Sequence, residues 1–208
     1  MGEGPVRVDR RRQRSDRTRL AMIEAYLALL PDKKRMPTAE EIARYVGCST
    51  RLVFARFGDM MELGLAAADH AHEVATAAGM PRHVDGNRAA RIASHVETRA
   101  LTCEGWLPLW RVAVNVQERS AGVKSRIARA RDIVIKRLEL MYAPELSTLP
   151  ERQRRQLVIA LEAIVDFESW GRMRDEQGLS VDEARTVWEQ AIERMLPPTP
   201  PAAAPPRE

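Results

Sequence analysis

Arginines near the N-terminus are the residues best suited to binding, because they cluster just ahead of the first predicted helix. Residues 1–20 hold seven arginines against three acidic residues, so they account for the whole formal net charge of +4. Such a cluster is an electrostatic footprint for phosphates, either of a nucleic acid or of an anionic membrane surface. The same charge also suits a solvated tail that keeps the protein soluble, and the cluster alone leaves these uses open.

The other reactive residues are too scattered to form a catalytic or metal site. His70 and His72 are two apart and therefore face different sides of a helix. Cys48 and Cys103 are isolated, which excludes a disulfide scaffold and a zinc site built from thiolates alone. The sequence has no phosphate-binding glycine loop, no Gly-x-Ser-x-Gly elbow and no dinucleotide fingerprint. We therefore expect a protein that is not an enzyme and that has no cofactor and no metal.

Composition indicates a helical protein with a real core. The 208 residues are 45% apolar and 30% charged, with only 5% aromatic residues. No run approaches roughly eighteen apolar residues, so we expect no membrane span, and residues 1–16 lack the apolar stretch of a secretory signal. The sequence thus predicts an all-α, cytoplasmic protein. Residues 197–208 hold six of the thirteen prolines and are expected to form a disordered tail.

Apolar spacing, glycines, prolines and capping residues together predict about nine helices. The first covers residues 16–30, with Leu20, Ile23, Leu27 and Leu30 as its buried stripe. The second helix opens at Thr38 and ends at Gly47, and the third runs from Thr50 to Arg56. The fourth opens at Asp59 and ends at about Ala78. The remaining helices are predicted near residues 87–103, 105–119, 122–142, 150–176 and 180–196.

Residues 38–57 carry the most specific pattern, a helix-turn-helix. Thr38 and Glu41 are spaced as a capping box, Gly47 closes the first short helix, and Ser49 caps the second. A second helix of this kind fits the major groove, and its N-terminus offers N–H groups to a phosphate. Helix pairs with glycine turns occur in other helical proteins too. The upstream arginines favour DNA binding, because such an arm can reach an adjacent minor groove.

The stretch Pro37–Ser49 resembles the helix-turn-helix of TetR-type transcriptional regulators, as do the Phe54-x-x-Phe57-Gly58-Asp59 motif and Glu62-Leu63 after it. The layout of the whole chain is also similar. The resemblance implies four parts: a disordered basic arm (1–14), a DNA-binding domain (15–62), a helical ligand-binding and dimerisation domain (63–196) and a Pro/Ala-rich tail (197–208). It further implies a homodimer, joined through the last two helices, that represses from a double-stranded palindromic operator and is released by an unknown small-molecule effector.

The resemblance also assigns DNA contacts residue by residue. The expected set is Arg11, Arg12, Arg14, Thr38, Ser49, Thr50, Arg51, Leu52, Phe54 and Arg56. Thr38 would cap its helix and contact a phosphate, Arg51 could pair with a guanine edge, and Leu52 could touch a thymine methyl.

The sequence departs from the family at several of these contacts. Family members usually have Gly and then Thr where Arg51 and Leu52 stand, Tyr in place of Phe54 and Lys in place of Met60. Residues 21–62 also carry equal numbers of basic and acidic residues. These features leave two alternatives: a module of this fold with weakened DNA recognition that acts through a protein partner, and association of the arm with a membrane surface. The arm lacks the large aromatic residues that anchor interfacial segments, so we expect no membrane partner.

Ligand and dimer contacts are expected in the C-terminal domain. The candidate ligand-binding residues are Trp106, Leu109, Trp110, Met141, Phe167 and Trp170, although apolar residues at helical spacing are also typical of a core. The last two helices have wide apolar stripes, which suit a four-helix bundle completed by a second copy. Packing within one chain is the other interpretation of these stripes.

Overall fold

A computed structural model describes residues 10–33, 35–78 and 80–201. Within these ranges the regular structure is entirely helical, which confirms the all-α prediction. The helices are α1 (Arg10–Lys33), α2 (Ala39–Val46), α3 (Thr50–Phe57), α4 (Met60–Ala78), α5 (Arg88–Val116), α6 (Ala121–Met141), α7 (Ala143–Leu146), α8 (Glu151–Ile164), α9 (Phe167–Gly171) and α10 (Val181–Met195). A 3₁₀ turn (Gln117–Arg119) precedes α6, and a π-helical turn (Arg172–Glu176) follows α9.

The N-terminal unit, α1 to α3, is organised by local caps that the sequence predicts. The Thr38 hydroxyl accepts from the Glu41 amide at 3.3 Å, and the Glu41 carboxylate accepts from the Thr38 amide at 2.9 Å, so the capping box is formed. Gly47 ends α2 with φ of 74°, a left-handed conformation that glycine adopts without steric cost. Ser49 caps α3 by accepting from the Leu52 amide at 3.3 Å. These caps fix the angle between α2 and α3.

The predicted boundaries and buried stripe of α1 need correction. The helix begins at Arg10, so residues 10–14, expected in a disordered arm, are helical, whereas residues 1–9 lie outside the described part of the chain. Ile23 and Leu30 of the predicted stripe are buried, but Leu20 is 41% exposed, and Met22 and Tyr26, at 0% and 1% exposed, complete the inward face. The face differs because α2 and α4 pack against α1 from this side.

Two predicted helix ends in the C-terminal domain are also wrong. Helix α5 continues through Gly105 and Pro108 for 29 residues, because Cys103 and Trp110, on either side of them, are buried and hold the helix in the core. The predicted helix 150–176 is instead interrupted after Ile164. There the Asp166 carboxylate accepts from the Ser169 amide at 2.6 Å and starts α9 as a new helix.

The last helix packs within the chain. In α10, Ala184, Trp188 and Ile192 are at most 1% exposed, because α10 lies against α5 and α8. Intramolecular packing therefore accounts for the centre of the apolar stripe. The chain after α10 is also held: the Pro197 carbonyl accepts from the Arg88 guanidinium. Pro197, predicted to belong to a disordered tail, is therefore held by the fold, and residues 202–208 lie outside the described part.

A polar face runs along the buried side of α5. Arg91, His95 and Arg99 recur every four residues and are 4%, 2% and 8% exposed. Arg91 pairs with the fully buried carboxylate of Glu145 in α7, and it also donates to the Gly86 carbonyl at 2.7 Å. The Arg91–Glu145 pair thus fixes α7 and the end of α6 against the N-terminal half of α5.

Replacing Arg91 by Met should lower the free energy of unfolding by about 3–5 kcal/mol, because it leaves the Glu145 carboxylate buried without its cation. Urea denaturation at one fixed protein concentration measures the loss. The control is Glu97→Gln, which breaks the exposed Arg82–Glu97 pair (3.2 Å) and should cost less than about 1 kcal/mol. Equal losses in the two variants would contradict the structural role of the buried pair.

Candidate DNA-binding face and ligand cavity

The outer side of α2 and α3 brings together most of the expected DNA contacts. Arg51, Phe54 and Arg56 of α3 are exposed, with Phe54 at 46%, and so are the two capping residues Thr38 and Ser49. Thr50 and Leu52 are half-buried, and Leu52 packs against the core of the N-terminal unit. The exposed side chains of α3 therefore include two arginines and one phenylalanine.

The arginines of α1 divide into two groups. Arg12 and Arg14 are exposed, while the side chain of Arg11 lies outside the described part of the structure. Arg19 instead holds α1 against α3: its guanidinium lies 4.2 Å from the centre of the Phe57 ring and donates to the Arg56 carbonyl at 3.0 Å. The positive end of α1 is thus fixed relative to α3.

Tyr45 is an exposed residue on this face that the sequence reasoning missed. It is 60% exposed near the end of α2, although large aromatic side chains are usually at least partly covered. Arg44 beside it is exposed as well. The available signal was the pattern of α2, whose buried positions Ala39, Ile42 and Ala43 leave Tyr45 on the outer side.

A cavity of about 240 Å³ lies between α4, α5 and α6, and we call it the central cavity. Four of the expected ligand-binding residues line it: Trp106, Leu109, Trp110 and Phe167. Met141 and Trp170 do not line it and are 1% and 0% exposed in the core. The Trp170 ring packs on Trp188 with centres 4.7 Å apart, and its indole N–H donates to Glu104 at 2.7 Å.

One side of the central cavity is a stack of aromatic rings and a guanidinium. The Trp110 and Phe167 rings are stacked with centres 4.8 Å apart and an interplanar angle of 19°. The Arg99 guanidinium carbon lies 4.5 Å from the centre of the Phe167 ring. Arg99 also donates through Nε to the Val165 carbonyl at 2.7 Å, which fixes its position. The stack therefore combines an apolar surface with a positive charge.

Buried polar groups lie at the same side of the central cavity. His95 Nδ1 is 2.7 Å from the Tyr142 hydroxyl, while no atom of the described residues hydrogen-bonds to His95 Nε2. Burial lowers the pKa of His95 to about 3, and the nearby cations Arg99 and Arg137 add to the shift. Burial, and then repulsion from Arg99, also lowers the pKa of Arg137. Sequence reasoning missed these groups; the four-residue spacing of Arg91, His95 and Arg99 was the available signal.

An ion pair joins α4 and α6 beside the central cavity. Arg126 donates to both carboxylate oxygens of Asp69, at 2.8 Å and 2.6 Å. These hydrogen bonds lower the pKa of Asp69 and raise the pKa of Arg126. A bidentate pair of this kind constrains both orientation and distance, so it fixes the spacing of α4 and α6 at the cavity.

The central cavity also touches the N-terminal unit. Tyr26 of α1 and Met36, which follows α1, line it together with Met61 and Gly64 of α4. A Cβ at Gly64 would lie 3.0 Å from the Tyr26 hydroxyl oxygen, so glycine permits the close approach of α1 and α4. Burial raises the pKa of Tyr26 to about 12. A molecule in the cavity would thus contact side chains of both parts of the chain.

The described part of the chain offers neither a metal site nor a membrane-spanning helix. Ranges 10–33, 35–78 and 80–201 contain no group of three or more His, Cys, Asp or Glu side chains that could hold a metal ion. None of the helices in these ranges is both long enough and apolar enough to cross a bilayer.

Comparison with solved structures identifies the fold. A TetR-family transcriptional regulator from Streptomyces coelicolor is similar with a TM-score of 0.68 at 16% identity, over 86% of this chain and 80% of that one. A Rhodococcus sp. chain assigned to the same family gives 0.62 at 17% identity, over 88% and 100%. A TetR-like regulator from Rhodococcus sp. RHA1 gives 0.58 at 16% identity, over 90% and 97%. No family model and no curated protein matches the sequence. The chain has the TetR-type fold, as its sequence predicts.

The buried His95 should make stability fall on acidification. Between the unfolded pKa near 6.5 and the folded pKa of about 3, only the unfolded chain takes up the proton, so the free energy of unfolding decreases as the pH is lowered. His95→Gln should flatten this dependence by up to about 1.4 kcal/mol per pH unit. Urea denaturation at several pH values between neutral and mildly acidic conditions measures the slope.

Cys103→Ala is the control for the His95 substitution. Cys103 lies on the same helix and is 0% exposed, and burial raises its pKa to about 11, so it stays neutral throughout this pH range. The control should keep the wild-type slope even though it removes buried atoms. Parallel slopes for wild type and His95→Gln would contradict the buried, neutral state of the histidine.

Proposed function

We propose that this TetR-fold chain is a sequence-specific, DNA-binding transcriptional regulator, and that it acts as a repressor released by a small ligand. The observation that carries the proposal is the capped helix pair α2–α3, which exposes Arg51, Phe54 and Arg56 beside the arginine-rich start of α1. The compared structures of the same fold are named transcriptional regulators, which supports this function.

Phosphate contacts would position the protein and α3 would read the bases. Arg12 and Arg14, together with the helix ends at Thr38 and Ser49, are the groups we assign to phosphates. Arg51 is the residue we assign to a base edge, because an exposed arginine near the start of α3 can donate two hydrogen bonds to a guanine. Leu52 is half-buried, so its contribution would be limited to the part of its side chain that remains accessible.

A homodimer would present two copies of α3 to the two halves of a palindromic operator. After α10 has packed on α5 and α8, Ile159 of α8 and Val187 of α10 are still 53% and 46% exposed. Large apolar side chains exposed on the two helices expected to dimerise support pairing through α8 and α10. The dimer is therefore part of the proposal.

Ligand release would operate through the central cavity. A ligand changes DNA affinity only if it binds two conformations with different affinity. The central cavity is lined by Tyr26 of α1 and by residues of α4, α5 and α6, so its occupant would contact both the N-terminal unit and the C-terminal domain. A ligand that changes the position of α4 would thus alter the spacing of two α3 helices in a dimer.

The alternative is a module of this fold that acts through a protein partner. It is favoured by one observation: Phe54 is 46% exposed on α3 and has no hydroxyl to donate to a phosphate, and Met60 carries no charge. An exposed phenylalanine suits an apolar protein contact better than a phosphate contact. DNA selection distinguishes the two functions.

The test is selection of DNA from a random library by the purified protein at near-physiological salt. A regulator should enrich a palindromic motif, whereas a protein-binding module should enrich nothing. In the same selection, Arg51→Ala should relax the preference at one position of each half-site, at a cost of about 1–3 kcal/mol per contact.

Arg56→Ala is the matched control, because Arg56 is also exposed on α3 but lies in its last turn. We assign it to a phosphate, so this variant should bind all sequences more weakly and keep the wild-type motif. A motif that stays unchanged in Arg51→Ala would remove Arg51 from the base contacts.

Replacing Arg12 and Arg14 together by Gln should weaken binding to all sequences alike and flatten the dependence of log affinity on log salt. The slope should fall by about 0.9 for each phosphate that the protein no longer neutralises. Arg152→Gln with Arg155→Gln, two exposed arginines of α8, is the control with the same change of charge and should keep the slope. Weaker binding confined to particular sequences would mean instead that the start of α1 reads bases or groove width.

A further inference from the structure

The central cavity contains a buried cation that has no acidic partner among the described residues. Arg99 is 8% exposed, and no carboxylate of the described residues lies within ion-pair distance of it. Its protein contacts include the Val165 carbonyl and the Phe167 ring. Taking a guanidinium out of water is costly when no anion accompanies it, and cation–π and carbonyl contacts offset only part of this cost.

The other charged residues lining the central cavity are also mainly basic. Its lining includes four arginines and a single carboxylate, Asp69. Asp69 is engaged on both oxygens by Arg126, so this carboxylate neutralises the arginine at that side of the cavity. Burial, and then the nearby charge of Arg99, lowers the pKa of Arg137. The described lining therefore carries more basic than acidic side chains, and low-dielectric surroundings strengthen their effect on an entering charge.

Two further polar groups without partners in the described part of the chain belong to lining residues that are more than nine-tenths buried. His95 lines the cavity, its Nδ1 lies 2.7 Å from the Tyr142 hydroxyl, and its Nε2 is buried without a hydrogen-bond partner among the described residues. The Trp110 indole N–H also has no partner among the described residues. Both nitrogens are buried polar atoms of residues that line the cavity.

The remaining lining is apolar and aromatic, so the part of the ligand that does not bind the arginines should be apolar as well. Trp106, Trp110 and Phe167 form one side, and Met61, Leu65 and Val123 are among the apolar residues around it. A dry cavity of about 150 Å³ holds benzene. The 240 Å³ found here therefore suits a body of roughly ten non-hydrogen atoms on the same scale.

We propose that the ligand of the central cavity is an amphiphilic organic anion, whose carboxylate binds at Arg99 and Arg137 while its alkyl or aryl body lies against Trp106, Trp110 and Phe167. This inference names the ligand class of the proposed function and rests on it. A neutral ligand would leave Arg99 without a counter-ion, and a cationic ligand would be repelled by the arginines. Arg99 and Arg137 belong to α5 and α6, so the carboxylate would bridge these helices.

Calorimetry with matched acid and amide probes tests the proposal. The pairs are octanoate with octanamide, cinnamate with cinnamamide, and phenylbutyrate with phenylbutanamide, each titrated into the full chain at neutral pH. At least one acid should bind about tenfold or more tightly than its amide, because the amide keeps the shape and loses the charge-assisted hydrogen bonds. If no acid in the panel is preferred over its amide, the proposal is overturned.

Variants locate the charge that the acid requires. In Arg137→Gln the acid and its amide should bind with about equal affinity, because a single charged contact supplies a difference of about tenfold. Arg99→Met should do the same, and the half-buried Arg137 keeps the test valid if the deeply buried Arg99 variant does not fold. The control is Lys136→Gln, which removes a cation from the neighbouring, exposed position of α6. A preference that survives in both arginine variants would overturn the proposal.

The titrations contain no DNA, which separates this inference from the proposed function. If an operator is enriched but no acid is preferred over its amide, the proposed regulator stands and only the ligand class is overturned. An acid preference without operator enrichment would support the anion site and contradict the regulator.

Discussion

The burial of a polar face along α5 is the constraint that organises the C-terminal domain. A helix that carries Arg91, His95 and Arg99 into a core is stable only if each group finds a partner there. The partners come from separate elements: Glu145 from α7, Tyr142 from the junction of α6 and α7, and the Val165 carbonyl from the end of α8. Meeting these three requirements determines where α6, α7 and α8 lie around α5, and apolar packing then fills the remaining space.

Helix α5 is also the element that connects the two halves of the molecule. Its N-terminal part belongs to the C-terminal core, whereas Leu109 and Val112 near its other end pack with the core of the N-terminal unit. Helix α4 has a similar double role, because Leu63 lies in the N-terminal core while Leu65 packs against the C-terminal one. The central cavity lies between these two shared helices. A change in its contents is therefore a change in packing for both cores at once.

The features that the sequence predicts well are those determined by neighbouring residues. The capping box at Thr38, the left-handed Gly47 and the Ser49 cap depend on contacts within three or four residues, and all are present. The failures are long-range. The sequence signals at Gly105 and Pro108 favour a helix end, but burial of α5 on several sides overrides them. Trp110 lines the cavity, whereas Trp170 lies in the core. This difference depends on elements that are far away in the sequence.

The polar face of α5 is an informative pattern that the spacing of the apolar residues does not reveal. Arg91, His95 and Arg99 share one side of a helix whose apolar residues are also buried, so the helix has no clear amphipathic direction. In an ordinary surface helix a stripe of arginines would mark the solvent side. Here the two ends of the stripe differ in chemistry: Arg91 has an internal carboxylate, whereas Arg99 has a ring and a carbonyl. A chain that pairs one buried arginine with a carboxylate and leaves the next beside a cavity can bind an anion there without giving up the stability that the first pair supplies.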